Sequence, residues 1–188
     1  MERRELLKMI ALLTGGAIIG GNTLLTGCSP EKGKLLNKSV FSQQDQDFLD
    51  EVAETILPAT KTPGAKAAKV GALMTVMVND CYEEKDQKVF KEGIDKLNAA
   101  CEKMHGCEFM KASKAQKTAL LVALDQEAKT YQAKRGDLPA HYFTMMKQLT
   151  LLGYFSSEPG CTKAMRYIAV PGHYEGSVPY KKGDKAWA

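Results

Sequence analysis

The chain has 188 residues, of which 44% are apolar and 7% aromatic, with 26 Lys and Arg against 22 Asp and Glu. That length and balance describe one globular domain with enough apolar material for a core, and exclude a disordered, collagen-like or multidomain chain. The formal charge of +4 is scattered along the sequence rather than gathered into a basic stripe, which argues against a nucleic-acid partner.

Residues 1–28 read as an address. An Arg pair at Arg3 and Arg4 is followed by an uncharged run from Met9 to Cys28, the charged and apolar regions of an export signal. Gly15, Gly16, Gly20 and Gly21 dilute the apolar run and weaken any permanent membrane helix. Arg3-Arg4-Glu5-Leu6-Leu7-Lys8 resembles a twin-arginine signal, with Leu6 where Phe is commonest, and Leu25-Thr26-Gly27-Cys28 resembles a bacterial lipobox. The expectation is a signal peptide over residues 1–27, a lipid on the Cys28 thiol, and a chain anchored on the periplasmic side of the cell envelope. Ser29 in place of Asp after Cys28 favours the outer membrane. The run GGAIIGG has the glycine density of a dinucleotide-binding turn, but no strand precedes it and no βαβ unit surrounds it.

Residues 28–41 are polar enough to act as a tether, and residues 42–188 form the domain. Ser42 and Asp45 make a capping-box start for a first helix, in which Phe48, Leu49, Val52, Ile56 and Leu57 recur at helical spacing until Pro58. A second helix is predicted from about Gly71 to Tyr82. Asp86 is placed as the cap of a third, whose Phe90, Ile94, Leu97, Cys101 and Met104 follow 4-3-4-3 spacing up to a stop at Gly106. Ser113 opens a fourth helix with Leu120, Leu121, Val122 and Leu124. Pro139 opens a fifth with Tyr142, Phe143, Met146, Leu149 and Leu152, ending at Gly153. The fold class is therefore all-α: a single bundle of about five helices. A short helix around Pro159 to Tyr167 leads into an extended tail from about Ile168, rich in Pro, Gly and aromatic residues. Such a tail must satisfy its backbone against the bundle, a partner or water, and its aromatic content makes water the least favoured.

Side chains able to do chemistry are sparse. His105, His141 and His173 share no ligand spacing on one helix face, and there is no Cys-x-x-Cys, so neither a metal centre nor covalent haem is expected. The carboxylate pairs Glu83-Glu84 and Asp125 with Glu127, and the Lys run from Lys111 to Lys117, read as solvated helix ends. Met145-Met146 reads as core packing. In an exported chain, Cys81, Cys101, Cys107 and Cys161 suit disulfides: a local Cys101–Cys107 bridge across the helix stop, free buried thiols, and a bridge to another chain through Cys161 are all open.

Two stretches carry a family resemblance. Phe48 to Tyr82, with ILPAT, TPGA and DCY, and Leu151 to Trp187, with GYF, TKA-RY, VPG-Y-G and VPY, resemble the opening and close of the gluconate 2-dehydrogenase subunit 3 family. The middle helices match only in character. The resemblance implies a noncatalytic accessory subunit with no cofactor of its own. Its partner would be an FAD-dependent catalytic subunit of the glucose-methanol-choline type, which oxidises sugars, sugar acids or polyols outside the cytoplasm, with a cytochrome c subunit as a further companion. Cys101, Cys107, Cys161 and the lipobox are departures from the family pattern. Expected partner contacts are Leu57 and Pro58 of ILPAT, Tyr154 and Phe155 of GYF, and the tail aromatics Tyr167, Tyr174, Tyr180 and Trp187. The competing readings are an enzyme or electron carrier in its own right, and an orphan envelope lipoprotein that binds proteins or glycans.

Overall fold

The computed structural model describes Glu5, residues 40–170 and residues 172–188. The export signal, the lipobox Cys28 and nearly all of the tether lie outside the described residues. Within them the architecture is all-α: α1 Gln43–Ile56, α2 Val70–Cys81, α3 Glu84–His105, a 3₁₀ turn Phe109–Lys111, α4 Lys114–Gln132, α5 Tyr142–Phe155 and a π-helical turn Gly160–Ala164.

Local chemistry starts and stops these helices. Ser42 donates its N–H to Asp45 Oδ2 at 2.7 Å while Asp45 returns its N–H to Ser42 Oγ at 3.2 Å, so α1 opens on a complete capping box. Ser113 and Gln116 build the same box on α4. The second helix has no capping side chain of its own and starts from Lys69 in the left-handed region. Asp50 on α1 substitutes, accepting the Gly71 N–H at 2.7 Å and tying α2 to α1.

The sequence places the start of α3 at Asp86, but the N-cap is Glu83. Asp86 lies inside the first turn, where the helix dipole favours a carboxylate. Gly106 is the stop, with φ of 70°, and its N–H reaches Glu102 O at 2.8 Å. The start of α5 differs too: it begins at Tyr142, not Pro139, because the buried His141 caps it, its Nδ1 accepting the Phe143 N–H at 3.3 Å. Burial pushes the His141 imidazole below its usual pKa, against the pull of Glu127 at 3.6 Å, and a neutral ring leaves Nδ1 free to accept. Nor does α5 stop at Gly153. A Cβ there would lie 2.8 Å from Leu73 Cδ2, so the glycine marks the close approach of α2 and α5.

One core joins all five helices. Leu49, Val52, Val70, Met74, Phe90, Leu97, Phe109 and Met146 are inaccessible to solvent, each contributing about 1.5–3 kcal/mol through burial. Three predicted core residues are exposed instead: Met104, Val122 and Leu152. Met104 overhangs at the end of α3, where Phe109 fills the core, held by its N–H to Asn98 Oδ1 at 2.9 Å and packed 5.2 Å from Phe48. Val122 lies off the Leu120, Leu121, Leu124 and Ala128 stripe of α4. Leu152 lies off the stripe that carries Met146, Leu149 and Gly153.

Candidate partner interface

The ILPAT signature starts at Ile56, the last residue of α1, and with TPGA it builds the loop between α1 and α2, most of whose residues serve the loop itself. Glu54 on α1 accepts the Ala59 N–H at 2.8 Å through Oε1 and the Lys66 N–H at 2.9 Å through Oε2, so one carboxylate holds both limbs of the loop. Gly64 leaves room for that carboxylate: a Cβ there would be 2.3 Å from Glu54 Oε2 and 2.6 Å from Ala59 N. Ala65 closes the base with its N–H to Leu57 O at 2.9 Å. Leu57 is half-buried, whereas Pro58, Ala59 and Thr60 are exposed.

Below this loop lies an ionic junction. Glu51 receives the buried Lys117 ammonium at 2.8 Å and Lys66 at 3.2 Å. Lys117 also sits 5.5 Å from the centre of the Phe109 ring. The hydrogen bond from Lys117 holds the Glu51 carboxyl below its usual range, outweighing the upward push of burial. A groove of about 270 Å³ runs past this junction, lined by Glu51, Glu54, Pro58, Ala59, Lys114 and Lys117.

Of the expected contact residues, Tyr154 must be withdrawn. It is 4% exposed and its hydroxyl donates to Pro63 O at 2.6 Å, so it locks the TPGA loop onto α5 and offers nothing to a partner. Its neighbour Phe155 projects outward. The tail differs in kind. Tyr167, Val170, Tyr174, Tyr180 and Trp187 are 57%, 81%, 93%, 74% and 49% exposed, and every described residue from Tyr167 onward is exposed.

The tail nevertheless has a defined closure. Arg166 donates its N–H to Ala186 O at 2.8 Å, Ala188 returns its N–H to Arg166 O at 2.9 Å, and the Arg166 guanidinium lies 4.2 Å from the Trp187 ring centre. Lys185 reaches back to Lys163 O, and Asp184 and Lys181 close a turn on each other. The result is a loop whose two ends are clasped and whose apolar side chains face out. Ile168, Tyr174, Val178 and Trp187 rim a hollow of about 390 Å³. Lys163, Arg166, Lys181, Lys182 and Lys185, against Glu175 and Asp184, make the segment basic. An apolar and basic loop of this kind has the composition of a recognition surface: aromatic anchors with cations around them.

The four described cysteines are free thiols. Cys161 donates to Phe155 O at 3.1 Å, Cys81 is exposed, Cys101 is buried and Cys107 is half-buried. Among the described residues, no three His, Cys, Asp or Glu side chains gather as a metal site, and no helix is long and apolar enough to cross a membrane. Met145 and Met146 are buried, in keeping with core packing. The sequence reading missed Glu54 and Arg166. Each is an ordinary charged residue whose partners, a backbone amide twelve positions on and the far end of the tail, carry no local signal.

Neither curated proteins nor solved structures give a match to the chain. The model of one family, described as Gluconate 2-dehydrogenase subunit 3, matches residues 43–172, from the first residue of α1 through the bundle, the π-helical turn and the start of the tail. With most of its length matched, and with both signature regions in place around a helical bundle, the chain belongs to the gluconate 2-dehydrogenase subunit 3 family, whose members are accessory subunits of a dehydrogenase complex.

Proposed function

We propose that this chain is the noncatalytic small subunit of a membrane-associated, FAD-dependent dehydrogenase of the glucose-methanol-choline type. In this reading the flavin is loaded in the cytoplasm and the small subunit docks on the folded catalytic chain. The twin-arginine signal at Arg3 and Arg4 then exports the pair, and the lipid on Cys28 tethers it to the periplasmic side of the envelope, at the outer membrane. A cytochrome c subunit would receive the electrons. The observation that carries the proposal is the clasped tail, which leaves four aromatic side chains uncovered on a chain whose core is otherwise closed. Burying such rings against a partner is favourable at about 25 cal/mol per Å² of apolar area.

The test is co-purification from the native host with the tagged full chain as bait. The expected result is a second chain with bound flavin, retained by the wild type and lost from a Tyr174→Ala/Tyr180→Ala variant. Capture of no flavoprotein overturns the subunit reading. Unchanged export of the flavoprotein from an Arg3→Lys/Arg4→Lys strain overturns the escort step alone.

A further inference from the structure

Charge is divided between bundle and tail as sharply as exposure is. Residues 29–158 hold eighteen Lys and Arg and eighteen Asp and Glu, whereas residues 159–188 hold five against two, so most of the formal charge of +4 belongs to the tail. Pairing widens the contrast. On the bundle, Lys66, Lys91, Lys117, Lys129 and Lys147 each reach a carboxylate. In the tail no cation has a carboxylate partner among the described residues: Lys185 is bonded to the Lys163 carbonyl, Arg166 lies on the Trp187 ring, and Lys163, Lys181 and Lys182 stand exposed. Both tail carboxylates are engaged locally, Asp184 Oδ2 accepting the Lys181 N–H at 3.0 Å and Glu175 lying 3.6 Å from His173 Nε2.

We infer that the tail loop docks on an acidic face of the catalytic flavoprotein, with an apolar side chain of that face filling the hollow and its carboxylates pairing with Lys163, Lys181, Lys182 and Lys185. The inference rests on the subunit reading above and adds the charge of the surface that the loop meets. Covering Tyr180 and Trp187 brings the partner over Lys181, Lys182 and Lys185, which lie between them in sequence. Those ammonium groups then lose water with no carboxylate of their own chain to replace it, so a neutral or basic face is rejected and an acidic one is drawn in.

An anionic lipid surface would also meet the lysines, but two features favour a protein. The hollow of about 390 Å³ lined by Ile168, Tyr174, Val178 and Trp187 is a concavity that a side chain of a folded partner can fill, and Glu175 on the same hollow would be set against headgroup phosphates. The backbone clasp between Arg166 and the Ala186 to Ala188 segment holds that shape before the partner arrives, which lowers the ordering cost of binding.

The experiment uses the tagged full chain as bait in its native host and reads the captured flavin by its absorbance, at about 50 mM and about 500 mM salt, where screening differs several-fold in range. At the lower salt Lys181→Glu/Lys182→Glu should capture about a tenth or less of the flavoprotein that the wild type captures, and Lys181→Arg/Lys182→Arg should capture as much. Capture by the wild type should fall at the higher salt, which tests the charge without any substitution. Flavoprotein capture that is indifferent to charge reversal or to salt overturns the acidic face and leaves the subunit reading standing. Capture of no flavoprotein by the wild type overturns both. Binding to phosphatidylglycerol vesicles in excess of phosphatidylcholine vesicles, abolished by the reversal while flavoprotein capture is unchanged, assigns the cations to a lipid surface and overturns the inference as well.

Discussion

The bundle and the tail treat the same kinds of side chain in opposite ways. In the bundle, Phe48, Phe90, Phe109 and Phe143 are buried, and the hydroxyl of Tyr154 finds a backbone acceptor. In the tail, Tyr167, Tyr174, Tyr180 and Trp187 stand in water. The bundle's buried rings are used up in its own core, although single residues such as Met104, Val122 and Leu152 remain exposed, whereas the tail's aromatic side chains are all still available, and exposed apolar clusters are what association buries. Stability and recognition are thus divided between two segments, and substitutions should separate them.

The largest effect should come from Phe109→Ala. It empties a fully buried site between α1 and the end of α3, at a cost of about 3–5 kcal/mol, and denaturant unfolding should show the unfolding free energy falling by that amount. Tyr174→Ala should leave the same free energy unchanged within about 0.5 kcal/mol. If the tail variant unfolds the bundle as Phe109→Ala does, the division is false.

Next in size is the Glu51 junction. Glu51→Gln leaves the buried Lys117 without its charged partner and should cost about 2 kcal/mol at neutral pH. Because the folded Glu51 carboxyl is held below its usual value of 4.5, the unfolded chain binds more protons there. Its contribution is complete above the unfolded pKa and is lost as pH falls through the folded one. Asp50, pushed up by burial, has the opposite sign. The cleanest readout is therefore the stability difference between wild type and Glu51→Gln, which should shrink steadily below about pH 4.5. A difference that stays constant into acid would show that Lys117 does not depend on that charge. Tail recognition, by contrast, should show no trace of this variant. Removing one exposed anchor such as Tyr174 should weaken partner capture by about tenfold or more, with no change in unfolding.

How far the sequence foresaw this division depends on whether the deciding interaction is local. Ser42, Ser113 and Gly106 announced three helix ends because capping chemistry acts across three or four residues. Asp50 capping α2 and His141 capping α5 were invisible for complementary reasons. Asp50 acts from another helix, and His is not a residue type that signals a start. The apolar rows of α3, α4 and α5 gave the right faces but overran them at Met104, Val122 and Leu152, since periodicity does not say where the neighbouring helix ends or how wide its contact is. Among the contact residues, Tyr154 and Phe155 are adjacent in sequence and equally aromatic. Only the position of Pro63 O, ninety-one residues earlier, puts one in the core and the other on the surface.

The smallest effect tests the clasp itself. Trp187→Ala removes the stacked Arg166 guanidinium's partner, an exposed contact worth about 0.5–1 kcal/mol, but spares the two backbone hydrogen bonds between residue 166 and the chain end. The bundle should melt unchanged. The tail, held at one point less, should be cut faster by a protease at Lys181 or Lys182 and should bind its partner more weakly. The loss should exceed what one ring contact would cause, since the loop must then be ordered on binding. Arg166→Lys keeps the charge but not the planar stack, and should reproduce part of both effects. If Trp187→Ala weakens binding with no change in proteolysis, Trp187 is a direct anchor and the clasp contributes nothing to preorganisation.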